Sequence, residues 1–386
     1  MKALYRILIA ASFAGILAAQ TVVTGTGNPD IDIAAVQAAV DRGGSVELRG
    51  HFSFDNPPAM RGELPDLMAT ILVSKAVTIS GTWDEHGQMT TIDGGGIPFA
   101  VEAGGAAVRI ERMRFVRPKL FAIFVDEVSG LTIESCTIES VQPLLLPGNS
   151  SGLTSGLGIY VSTVMGLPVP DRLGNPGNVS GKLSIRNNQI SGVGAADHGI
   201  GIMVVNVGTK ENPVEVDISG NTIRDSSLKG INVTQIGGQA RIERNIVTTT
   251  IVYTGRSGGR FSGIHAGGSG SFVIDHNVID VADPNAAGIR IRGYPALGAA
   301  IERATIADND VTMSAPEGAE LGLGNAGIEI MGLARGTVVQ GNRIRGRARV
   351  GLSLAPDKAG SPAGNTFERD DFEHLISPLA DGGTQK

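Results

Sequence analysis

The chain has 386 residues, 41% apolar content and a formal net charge of −6. That is ample for a large core, and one long domain is as allowed as two. The 55 glycines follow no G-X-Y period, which excludes collagen, and the acidic balance argues against nucleic acid as a partner.

In chain order, the first element reads as an export signal over residues 1–20. Lys2 and Arg6 form a basic region, Ile7 to Leu17 a short apolar one, and Ala18 and Ala19 precede a cut before Gln20 or Thr21. A short membrane anchor is the alternative, although the apolar run is well below the ~20 residues a span needs. No later stretch is apolar enough to span a membrane. Export places the mature protein in a secreted or periplasmic setting. Cys136 is the single cysteine, so no intrachain disulfide can form.

Residues 30–44, "DIDIAAVQAAVDRGG", read as a short amphipathic helix. Asp30 or Asp32 can cap it, Ile33, Val36 and Val40 share one face, and Gly43 ends it. "SVELRGHFSF" (45–54) is expected as a first coil. Beyond it, aromatics are scarce and branched aliphatics dominate, which favours strands.

Two patterns then recur. One is Ile, two residues, Asn, one residue, Ile or Val, as in "ISGNTI" (218–223), "IDHNVI" (274–279) and "VQGNRI" (339–344). Its asparagines are 188, 221, 245, 277, 309 and 342, with Asn365 as a further member; Met113 and Cys136 hold the same place earlier. The other is Gly, Ile or Leu, any residue, an aliphatic, as in "GIYV" (158–161), "GIGI" (199–202), "GINV" (230–233), "GIRI" (288–291) and "GIEI" (327–330). The shortest full unit, from Met113 to Cys136, is 23 residues. So small a unit cannot bury its own apolar side, but stacked on copies of itself it can. The aliphatics then form interior columns. Asn at a turn tolerates left-handed backbone and can stack into a ladder. The fold class is therefore all-β, a right-handed parallel β-helix of about ten coils with a short N-terminal capping helix. Its domain spans residues 28–376. "FERDDFEHLI" (367–376) is expected to cover the last coil with Phe367, Phe372, Leu375 and Ile376, and 377–386 to form a flexible tail.

The helix, "GGSVELRG", "VTISG" (77–81) and the Asn-bearing coils together resemble the parallel β-helix proteins of the pectin-lyase-like superfamily over roughly residues 28–375. That resemblance implies a site on the outer face of one sheet, flanked by loops. Its members include polysaccharide lyases, glycoside hydrolases, epimerases and phage tail-spikes, so it does not choose an activity. It also makes Ca2+ a possible cofactor by analogy alone, since no acid cluster is visible here.

Loop lengths point to the Gly-Ile strand. From the Asn turn to the next Gly the interval grows from 9 residues (221 to 230) to 22 (136 to 158), and from Gly to the next Asn from 14 (263 to 277) to 30 (158 to 188). Added loops on both sides make a groove. The outward residue after each Gly-Ile is Phe124, Tyr160, Gly201, Asn232, His265, Arg290, Glu329 and Ser353. Two residues further lie Asp126, Ser162, Met203, Thr234, Gly267, Arg292, Met331 and Ala355. Neighbouring rungs are ~4.8 Å apart, so Asn232, His265, Arg290 and Glu329 form one polar row with Arg292 beside it. The plainer alternative is a solvated sheet face with an Arg290–Glu329 ion pair of little worth. The loop "VYTGRSGGRFSG" (252–263) adds Tyr253, Arg256 and Arg260. Asp197 and His198 read as turn residues.

A hydrolase needs two carboxylates flanking the bond, and the row holds only Glu329. Asp126 is six rungs away, with Glu102 as its expected neighbour. Clustered Asp motifs of polygalacturonase-type hydrolases are absent. A polyuronate lyase must neutralise the uronate carboxylate, remove the acidified proton and protonate the leaving oxygen. Arg290 and Arg292 suit the first task, His265 or Tyr160 the proton transfers, and Asn232 and Glu329 orientation. The expected function is that of a secreted carbohydrate-active protein that binds an acidic polysaccharide, with lyase-type β-elimination as its chemistry if it is an enzyme. A non-catalytic carbohydrate-binding solenoid, a glycoside hydrolase and a uronate epimerase stay open. Oligomeric state is not legible.

Overall fold

A computed structural model describes residues 20–55, 69–145, 154–163, 174–193, 197–249, 261–293, 301–355, 362, 364–368, 371–372 and 377–380. Residues 1–19, Tyr253, Arg256, Arg260, Leu375 and Ile376 lie outside them.

The helix runs Pro29–Val40. Asn28 caps it, accepting from the Asp30 N–H, because Pro29 takes the first helical position and moves the start ahead of Asp30. Asp32 is buried and has another task. Its carboxylate accepts from Thr26 N–H, Thr26 hydroxyl, Gly27 N–H and Ser53 N–H, which ties the helix to the first coil. Ile33, Val36 and Val40 are buried as expected, and Gly43 stops the helix in the left-handed region at φ 74°.

The strands wind into a right-handed parallel β-helix with three faces. The first face holds the Gly-Ile strands, among them Thr154–Ser162, His198–Val207, Lys229–Ile236, Ser262–Gly267, Ala287–Gly293, Ala326–Gly332 and Val350–Ala355. The second includes Gly181–Arg186, Val214–Ser219, Gly238–Glu243 and Gly270–Asp275. The third is an 11-stranded sheet that includes Gln189–Val193, Thr222–Ser226, Ile246–Thr249 and Val278–Val281. Successive coils pair in parallel throughout; Leu144–Leu145 pairs antiparallel with the strand from Thr154.

The asparagine ladder stands at the turn between the second and third faces. Each Nδ2 donates to the next Oδ1, from Asn188 through 221, 245, 277 and 309 to 342, at 2.8–3.0 Å. Each backbone N–H donates to the same oxygen. The left-handed residue is not the asparagine. It is the residue before it, such as Asn187, Arg244, His276 or Asp308. That residue turns the chain so the asparagine can point inward. Asn365 is not a member. Glu368 is the register partner of Gln340, so Asn365 stands at the strand start, where it accepts from Thr337 N–H. Cys136 occupies the first ladder position with its N–H donating to Asn188, and burial pushes its thiol up to about 12.

The glycines of the Gly-Ile pattern also form a column. A Cβ on Gly230 would stand 2.3 Å from Val247 Cγ1 and 2.7 Å from the Gly263 carbonyl. One on Gly288 would meet Val311 and Gly327 at 2.3 and 2.7 Å. Gly201 belongs to this column and Gly199 does not, since Ile202, not Ile200, pairs with Ile159 and Ile231. The register of that coil is therefore two residues later than expected.

At the far end, Thr366–Glu368, Asp371–Phe372 and Ser377–Ala380 add another coil to the three faces. Ser377–Ala380 thus joins the sheet, although it was expected within the tail. No helix among the described residues is long and apolar enough to cross a membrane.

Candidate functional site

The outer side of the Gly-Ile face divides into two halves. Register pairs run Phe124, Tyr160, Met203, Asn232, His265, Arg290, Glu329 and Ser353. Met203 replaces the expected Gly201 because of the shifted coil. The early half is apolar: Phe121, Phe124, Leu157, Tyr160, Ile200, Met203 and Val205 form their own buried cluster. The later half is polar. The second column there runs Thr234, Gly267, Arg292 and Met331, which sets Arg292 beside small Gly267.

The polar half is buried, not solvated. Asn232, His265 and Arg290 are 3–4% exposed and Glu329 1%. Arg290 Nε donates to Glu329 Oε2 at 2.5 Å, and Arg290 Nη1 to the Phe261 carbonyl at 3.3 Å. The pair, a solvated surface bridge in the plainer alternative, is therefore desolvated, which raises the consequence of breaking it.

Lys229 is the residue that sequence reasoning missed. Simple alternation places it inward. In the structure Gly230 and Ile231 both face the core, as the Cβ contacts of Gly230 show, so the residue before the glycine returns to the outer face. Its column runs Phe121, Leu157, Ile200, Lys229, Ser262, Ala287 and Ala326. One charge in an apolar and small-residue column was the available signal. Burial, then Arg290 and Arg292, bring the Lys229 ammonium down to about 8.

His265 sits between these cations. Burial, then Lys229, Arg290 and Arg292, hold its pKa well below 6.5, so it stays neutral. The unfolded chain takes up this proton as pH falls through 6.5, and the folded chain does not. The contribution to stability is present above that pH and is lost below it. His265→Gln is expected to flatten the fall in stability between pH 6.5 and 5, read as the difference between wild-type and variant urea midpoints. Parallel curves would contradict the neutral assignment.

Tyr160 is not brought to this group. It lies three rungs from His265, its ring 5.0 Å from Phe121 and 5.4 Å from Phe124, and burial raises its hydroxyl to about 12. Asp197 accepts from the Thr154 N–H and hydroxyl, which ties two neighbouring coils together in place of the turn contact expected. Asp126 is six rungs from Glu329, roughly 29 Å at the interstrand spacing. Burial, then Glu102 and Glu127, raise it to about 7. Among the described residues no three His, Cys, Asp or Glu side chains cluster as a metal site.

Open cavities also line the second face and its corner, one of about 520 Å³ around Arg109, Lys182 and Arg186. Arg109 and Arg186 are engaged there by Glu111 and Glu134 in a half-exposed charge ladder. The Gly-Ile face is the stronger candidate because it buries a contiguous polar row, Asn232, His265, Arg290 and Glu329.

No protein-family profile matches the chain, and none of the curated proteins does. Solved structures do match. PfbA, a surface adhesin of Streptococcus pneumoniae, aligns with a TM-score of 0.58 and 14% identity over 92% of this chain and 91% of that one. The catalytic domain of a GH87 alpha-1,3-glucanase in complex with nigerose aligns at 0.50 and 12% over 95% and 68%. The Dettilon tailspike protein aligns at 0.45 and 14% over 83% and 66%. The likeness is one of fold: this chain is a right-handed parallel β-helix, as expected from its repeats.

Proposed function

We propose that the protein is exported and that the polar half of its Gly-Ile face binds an acidic polysaccharide. One observation carries this reading. Lys229, Arg290 and Arg292 gather around neutral His265, while Glu329, the carboxylate of that row, is held by Arg290. A cationic strip on a chain of net charge −6 favours an anionic ligand. Rungs in a straight row suit an extended glycan. The basic and apolar segment at residues 2–17 and the likeness to a surface adhesin support export, and the likeness to a glucanase supports a sugar ligand.

The finer reading is β-elimination, in which the cations neutralise a uronate carboxylate and neutral His265 accepts the acidified proton. The distance of Tyr160 and the depressed basicity of His265 favour a second reading, binding without cleavage. One screen separates them. The protein is expected to bind polygalacturonate or alginate in calorimetry, and Arg292→Ala to weaken this about tenfold or more. Ultraviolet absorbance from an unsaturated product identifies the lyase. Retained binding without it identifies the non-catalytic protein. Failure to bind any polyuronate overturns both.

A further inference from the structure

We infer that Lys229, Ser262 and Asn232 form a subsite for one uronate unit. Its carboxylate meets the Lys229 ammonium and Ser262 hydroxyl, and a neighbouring hydroxyl donates to Asn232 Oδ1. This rests on the acidic-polysaccharide reading and assigns the residues that take the charge.

The three residues meet through the glycine column. Lys229 and Asn232 lie on one strand and both face outward, because Gly230 and Ile231 between them face the core. On the next rung Lys229 pairs in register with Ser262, and Asn232 with His265. Asn232 is 3% exposed and Ser262 0%. Asn232 Oδ1 and Ser262 Oγ have no hydrogen-bond partner among the described residues. Buried polar atoms are nearly always paired, so two orphans on neighbouring strands mark a place that something else completes. Lys229, half-buried beside them, makes no ion pair with a described residue. Its charge is opposed by those of Arg290 and Arg292, and it in turn lowers the basicity of His198 and His265.

The chemistry of the missing partner follows. Lys229 only donates and carries charge, so it calls for an anion. Asn232 Oδ1 only accepts, so it calls for a donor. A uronate presents a carboxylate and ring hydroxyls together. Arg290 is not the receiver, because Glu329 and the Phe261 carbonyl already engage its guanidinium. A neutral sugar leaves Lys229 unanswered, and a sulfated sugar shares the charge but not the planar carboxylate.

The test titrates polygalacturonate, its carboxyl-reduced neutral form and dextran sulfate into wild type, Lys229→Met and Asn232→Leu. Expected are polygalacturonate binding by wild type and a loss of about tenfold or more in Lys229→Met at unchanged melting temperature. Asn232→Leu is expected to weaken binding while the free protein keeps or gains stability, because an orphaned oxygen is replaced by an isosteric apolar group. A structural role for Asn232 predicts lost stability instead. Wild-type affinity in Lys229→Met, or equal preference of wild type for dextran sulfate, overturns the subsite while leaving the acidic-polysaccharide reading standing. No binding of polygalacturonate by wild type overturns both.

Discussion

Glu329→Ala is expected to lower the unfolding free energy by about 3–5 kcal/mol, because it strands a buried guanidinium. Arg290 is 4% exposed and Glu329 1%, and their Nε–Oε2 contact is 2.5 Å. Neither charge has enough water to replace a lost partner. His265 on one side and Lys229 nearby supply no replacement for the lost carboxylate. The paired change Arg290→Met with Glu329→Leu is expected to recover most of the loss, since two apolar groups of similar length remove the desolvation problem. Urea unfolding of wild type, single and double variants measures this. A single variant within a few tenths of a kcal/mol of wild type would show the pair to be solvated, the plainer alternative of the sequence reading. Calorimetry on the double variant then separates stability from binding, since it restores the fold but not the cationic row.

Asn245→Ala is expected to cost about 3–5 kcal/mol, as several buried groups each lose a partner worth ~1–3. The Asn245 oxygen accepts from both the N–H and Nδ2 of Asn221. Its own Nδ2 donates to Asn277 Oδ1 and to the Ile218 carbonyl. Alanine leaves all four without it, in a place that is 0% exposed. The ladder predicts a gradient as well. Asn188 accepts from the Cys136 N–H alone, because cysteine supplies no amide above it. Asn188→Cys therefore removes fewer bonds than Asn245→Cys and is expected to be the milder change in melting temperature. Equal losses at both places would argue that packing volume, not the hydrogen-bond chain, sets the cost.

Much of the fold was legible because the repeat is local and strict. Ile, two residues and Asn keep their spacing from 185 to 344, and each coil solves the same packing problem. Errors arose where two phases of the pattern competed. "GIGIMV" offers Gly199 and Gly201 equally, and the register of Ile202 with Ile159 and Ile231 selects Gly201. Asn365 has the right residue type, but the register of Glu368 with Gln340 places it at the wrong point of its coil.

For the candidate site, residue identity and rung order came from the sequence, and solvation did not. The repeat phase alone aligned Asn232, His265, Arg290 and Glu329, and the structure keeps that order. Three matters needed the folded chain. The Gly-Ile step turns two successive residues inward, which returns Lys229 to the outer face against simple alternation. The early coils enclose Tyr160 between Phe121 and Phe124, although its three-rung distance from His265 already followed from the repeat. Burial of the Arg290–Glu329 pair depends on what surrounds it from distant parts of the chain. Repetition lets a sequence dictate which residues stack, because stacking follows from spacing. How much water reaches the stack follows from everything packed over it, and no local pattern encodes that.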